Sequence, residues 1–93
     1  MSHAVVITVN LPVDGTPEEA LKMLNEIVVP QARAQAGFQS GTWMNDHGNG
    51  MGVVVFDTEQ NANEAQKYLR PPDGATTTFV SSSVYEVGAQ AHA

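Results

Sequence analysis

Residues 38–56 read FQSGTWMNDHGNGMGVVVF, two strand-forming runs around a polar, glycine-rich centre. The first run, Phe38 to Asn45, holds aromatic and β-branched residues, and the second, Met51 to Phe56, is almost wholly apolar. Between them lies Asp46-His47-Gly48-Asn49-Gly50. Asn-Gly is the strongest short hairpin signal, because both residues accept positive φ. The spacing therefore predicts antiparallel neighbours turning at Asn49-Gly50, with Gly48, Gly50 and Gly52 all belonging to the hairpin.

Working outward, Ala4 to Leu11 (AVVITVNL) predicts a strand, closed by Pro12. Val5, Ile7, Val9 and Leu11 fall on one face, and Ala4, Val6, Thr8 and Asn10 on the other. Asp14-Gly15 reads as a turn, and Thr16-Pro17-Glu18-Glu19 as a helix start with a capping box. Ala20, Leu21, Leu24, Ile27 and Val28 then recur at amphipathic spacing. Pro30 should kink or break that helix, since it lacks an amide hydrogen and clashes with the carbonyl of Glu26. A further turn or two over 31–36 should end at Gly37.

Downstream, Thr58 caps a second helix to about Leu69 or Arg70, with Ala62, Ala65 and Leu69 as its apolar stripe. Pro71-Pro72-Asp73-Gly74 ends it. Thr76 to Val87 predicts a last strand, with Phe79, Tyr85 and Val87 on one face and Val80 and Val84 on the other. The tail, 88–93, is small and polar and is expected to be disordered. The order strand, helix, strand, strand, helix, strand predicts a ferredoxin-like βαββαβ domain over 1–93. Its class is α+β, a four-stranded antiparallel sheet with two helices on one face. The opposite sheet face, with Ala4, Val6, Val80 and Val84, is too apolar for water, and a second copy of the chain is the expected cover.

Composition narrows the partners. Ten acidic and four basic residues give net charge −6 over 93 residues. Lys22, Arg33, Lys67 and Arg70 are scattered, so neither nucleic acid nor an anionic membrane is an expected partner. There are no cysteines. No apolar run is long enough to span a bilayer, and the start Met-Ser-His-Ala lacks signal-peptide character. A cytoplasmic location is the expectation.

With this order in hand, the sequence resembles the dimeric α+β barrel superfamily, and within it the antibiotic-biosynthesis-monooxygenase-like (ABM) domains. The resemblance rests on Val29-Pro30-Gln31-Ala32-Arg33-Ala34-Gln35-Ala36-Gly37-Phe38 followed by Gly41-Thr42-Trp43. It implies a homodimer whose relatives include cofactor-independent oxygenases, haem-degrading enzymes and small-ligand-binding regulators. The haem-degrading branch also has a first-strand asparagine, which Asn10 matches. It requires in addition a histidine on the second helix and a tryptophan on the third strand. This chain has neither, so no haem, and no other cofactor, is implied.

Candidate ligand-binding residues follow from side-chain chemistry; catalytic residues remain unassigned. Asn10 could orient a carbonyl, or bond loop backbone near Pro12. Trp43, the only tryptophan, could stack on an aromatic ligand or fill a core or interface. Tyr68 and Tyr85 could donate into a cavity, or pack at its edge, and Arg33 could hold an anion, or face solvent. His47 beside Asp46 reads as a solvated turn residue, and no histidine has a second ligand at metal spacing. Ser81-Ser82-Ser83 has no histidine or acid fixed nearby, and Met23, Met44 and Met51 read as core filler. Two functions follow: a homodimer binding a small apolar or aromatic molecule, or a cofactor-independent monooxygenase of a phenolic or quinone-like substrate.

Overall fold

A computed structural model describes residues 1–11, 17–71 and 77–91. The elements are β1 (His3–Asn10), α1 (Pro17–Met23), a π-helical turn (Leu24–Val28), α2 (Val29–Arg33), β2 (Phe38–Asp46), β3 (Asn49–Phe56), α3 (Glu59–Gln66) and β4 (Thr78–Glu86). The strands form one antiparallel sheet in the order β2-β3-β1-β4. This is the ferredoxin-like α+β arrangement that the element order predicts. The expected turn at Asp14-Gly15, the Thr16–Glu19 capping box and the stop at Pro72-Asp73-Gly74 lie outside the described residues.

The core forms on one sheet face. Val5 and Ile7 of β1 and Val54 and Phe56 of β3 pack against Ala32, Ala62, Ala65 and Leu69. Alanines at the contact let helix and sheet approach closely, so the branched strand side chains fill the space between them. Thr58 caps α3 as expected, its Oγ1 accepting from the Asn61 amide at 3.1 Å. Beyond Gln66 the chain continues in tighter turns, with the Tyr68 and Leu69 amides both donating to the Ala65 carbonyl. Phe38 meets Phe56 edge-on, with ring centroids 6.3 Å apart. Gly37 ends the first helical segment at φ 79°, and a side chain there would collide with Asp57 and Asn61.

Four expectations change. First, the irregularity expected at Pro30 takes the form of a π-helical turn just before it, and the helix resumes through the proline to Arg33. The backbone widens just before it, and the Val29 amide donates to the Leu24 carbonyl five residues back. One inserted residue turns the preceding helix by about 100°, so the stripe read as continuous no longer faces the sheet. Leu24 and Val28 are half-buried, while Leu21 and Ile27 are each 59% exposed. α2 packs on β2, whereas α1 and the π turn pack chiefly on one another and on α2.

Second, the hairpin turns at His47-Gly48, at φ 50° and 89°, with Asp46 opposite Asn49. Both central residues take the positive φ of a two-residue hairpin turn. Asn49-Gly50 starts β3 instead. Third, β4 carries a bulge: Thr8 pairs with Ser81 and Val9 with Phe79, leaving Val80 as the extra residue. The bulge resets the parity. Val84 joins Phe79 against the core, and Tyr85, opposite Ala4, faces the uncovered side. Fourth, Met23, Met44 and Met51 are surface residues at 44, 49 and 40% exposure, not core filler.

The uncovered face therefore differs from the expected set. Across the sheet its rows run Tyr85–Ala4–Val55–Ser40, Ser83–Val6–Val53–Thr42 and Ser81–Thr8–Met51–Met44. None of these twelve side chains is charged. Replacing Phe56, fully buried on the other face, should test the core: Phe56→Ala should cost about 3–5 kcal/mol in urea unfolding. A cost below about 1 kcal/mol would mean that Phe56 is not a core residue.

Candidate functional site

Trp43 organises the most distinctive feature of the helix-side face. It stands opposite Gly52 in the β2–β3 register, two residues beyond Gly41 on its own strand. An ideal Cβ built on Gly41 would lie 2.6 Å from Trp43 Cη2, and one built on Gly52 would lie 2.8 Å from Trp43 Cδ1. The benzene end of the indole thus covers Gly41 and the pyrrole end covers Gly52. The ring lies along the sheet because both backbones beneath it are bare. A turn at Asn49-Gly50 would have set Phe56 opposite Trp43, and two large rings would have competed for this place.

Beside Trp43 the surface continues as an apolar shelf. Gly50 is buried, and the side chains of Val9 and Leu11 occupy the space over it. Val9 pairs in turn with Phe79 on β4. Trp43, Val9, Leu11 and Phe79 are all half-buried. Arg70 covers the outer side of Phe79, its guanidinium carbon 4.2 Å from the ring centroid. At the shelf's inner edge, Gln66 Nε2 donates to Ser82 Oγ at 2.9 Å. No carboxylate or imidazole belongs to this set.

Two of the other expected site residues, Asn10 and Tyr85, lie on the sheet face opposite Trp43. Asn10 is exposed at the end of β1, in register with Asn49 and Thr78 and on the parity of the uncovered face. Tyr85 is 57% exposed on that same uncovered face. Tyr68 is 51% exposed after α3, and its backbone carbonyl accepts from Gln31 Nε2 at 3.2 Å. Arg33 is exposed at the end of α2. Of the three expected on strands, Trp43 alone stands on the helix-side face.

Phe79, Val9 and Arg70 went unselected from sequence. Their signal was faint: a glycine cross-strand from the only tryptophan becomes visible only once the hairpin register is right. His47 bonds Asp46 across a solvated turn, as expected. Ser81 Oγ and Thr8 Oγ1 lie 2.6 Å apart, so this serine is engaged across strands. His3 bonds the Met1 carbonyl through Nδ1, and its Nε2 lies 3.7 Å from Glu59. Among the described residues no group of three or more histidine or acidic side chains is placed to hold a metal ion, and no helix is long and apolar enough to cross a membrane.

The bare glycine under the indole is directly testable. Gly52→Ala puts a methyl 2.8 Å from Trp43 Cδ1, so the ring must lift off the sheet. The variant should lose about 1–3 kcal/mol of stability and shift its Trp43 fluorescence emission to the red. An unchanged emission spectrum would show that the ring does not rest on Gly52.

No family model matches the chain, and no curated protein matches it significantly. Among solved structures its fold is similar to that of a candidate monooxygenase from Shewanella loihica PV-4, with TM-score 0.54 and 20% identity. The match covers 97% of this chain and 99% of that one. At this identity the likeness speaks for a shared ferredoxin-like fold.

Proposed function

We propose that this chain is a homodimeric, ABM-like binding domain of the dimeric α+β barrel type, and that it takes a flat aromatic molecule on the Trp43 shelf. The observation that carries the ligand reading is the posture of Trp43. One face of the indole is held against two glycines, while the residue stays half-exposed beside Val9, Leu11 and Phe79. A rigid, pre-positioned ring loses little entropy when a second ring stacks on it.

Pairing with a second copy is supported by the uncovered sheet face. Three of its rows hold no charge in a chain of net charge −6, and the row at the hairpin end, Thr78–Asn10–Asn49–Asp46, places the carboxylate of Asp46 at its margin. Two identical acidic proteins repel, and this is a surface on which they can meet without bringing like charges together. Met44, Met51 and Tyr85 project from it, and sheets stacked at about 10 Å would enclose them. Sedimentation at micromolar concentration should give a dimer, and Val53→Glu should weaken it by about 100-fold or more by burying a carboxylate at the centre. A well-folded monomer at that concentration would remove this part of the proposal.

A second reading is motivated by the description of the Shewanella neighbour. In a cofactor-independent monooxygenase of a phenolic substrate, one oxygen atom enters a ring carbon and the other leaves as water. The substrate itself supplies all four electrons. The protein would only orient the ring and stabilise an enolate by hydrogen bonds. Among the described residues the shelf carries no carboxylate, imidazole or other group that titrates near neutral pH, which favours binding over turnover. Titration of Trp43 fluorescence with hydroxynaphthalenes and quinols, run beside an oxygen electrode, separates the two. Quenching without oxygen uptake is expected. Quenching with uptake would establish the oxygenase instead, and silence towards every compound would defeat both readings.

A further inference from the structure

The charge inventory around the shelf says more about what belongs there. The chain has ten carboxylate side chains and four cations, so an arginine has many chances to pair. Lys67 does so, with its Nζ 3.1 Å from Glu64. Lys22 and Arg33 are exposed on the first helical segment, and among the described residues no ion pair joins either of them, or Arg70, to a carboxylate. Arg70 is set apart by its place: its guanidinium lies over Phe79, at the β4 end of the shelf.

A guanidinium stacked on a ring keeps its N–H donors at its edges, where they match a carboxylate in bidentate fashion. Stacking also restricts a long, flexible side chain, so less freedom is lost when an anion binds. The position sets a length as well. The indole reaches over Gly52 on β3, two strand spacings from β4, so the ring and Phe79 stand on the order of 10 Å apart, the length of a two-ring carboxylate. Between them the shelf is the apolar surface of Val9 and Leu11 above Gly50.

Building on the proposed ligand site, we infer that it selects an elongated aromatic anion, with fused rings along the Trp43–Val9 surface and a carboxylate at Arg70. A neutral ring system of the same shape lacks the partner that Arg70 is placed to meet. The candidate anion-holding residue thus becomes Arg70 in place of Arg33. Arg70 is exposed at the shelf's rim, which keeps the guanidinium hydrated and ready to exchange water for a ligand oxygen.

Isothermal titration calorimetry with 2-naphthoate and 2-naphthamide tests this, because the two differ little except in charge. The wild-type protein should bind naphthoate at least about tenfold more tightly, with the preference shrinking as salt is raised. Arg70→Gln should bring naphthoate down to the naphthamide level, Arg70→Lys should recover part of the preference, and Lys22→Gln should leave it intact. Far-ultraviolet circular dichroism confirms that each variant is folded. Equal affinities in the wild type would overturn the selectivity while leaving the aromatic site standing. A preference that survives Arg70→Gln would overturn the role of Arg70. Binding of neither compound would remove the shelf as a ligand site, and this inference with it.

Discussion

A four-stranded sheet has two faces, and this chain has helices enough for one. That constraint governs the rest of the molecule. On the covered face, Ala62, Ala65 and Leu69 bring the second helix down over Val5, Ile7, Val54 and Phe56. The first helical segment contributes only Ala32 to the same cluster. The core is therefore complete towards the His3–Phe56–Phe38 end and incomplete towards Val9 and Trp43. The shelf is what remains of the covered face where the first segment fails to close it.

The π turn connects local chemistry to that opening. A proline inside a helix must shed a hydrogen bond and relieve a clash, and here the backbone does so by widening over the five residues Leu24–Val28. The rotation that follows turns Leu21 and Ile27 outward, away from the strands they would otherwise cover.

The elements were legible because each is written locally. The alternation of β1, the Thr58 cap and the alanine stripe of α3 need only neighbours in sequence to be read. What failed depended on counting across an irregularity. The bulge at Val80 reversed the parity of β4, which exchanged Val84 for Tyr85 on the uncovered face. The two-residue shift of the turn from Asn49-Gly50 to His47-Gly48 changed what lies opposite Trp43. The same limit applies to the candidate site. Trp43 was recognisable as a residue type suited to stacking, whereas Asn10 and Tyr85 were chosen for their chemistry and then placed by register on the opposite face. Arg70 and Phe79 belong to different elements and meet only after the second helix has turned back to β4.

This chain also shows why the absence of a catalytic motif says little about binding. Motifs are visible when function needs particular side chains at fixed spacing. The shelf needs the reverse: positions where side chains are missing. Gly41 and Gly52 define the place of the indole by leaving backbone exposed to it, and Val9 and Leu11 occupy the vacancy above Gly50. Each of these residues reads as ordinary strand or turn composition in isolation. Together they make a flat, rigid and apolar surface, and the one guanidinium at its end supplies direction. On the proposed reading, recognition on such a surface would be decided by where rings can lie and where a single charge stands, so its specificity would reside in the sheet register rather than in any contiguous run of residues.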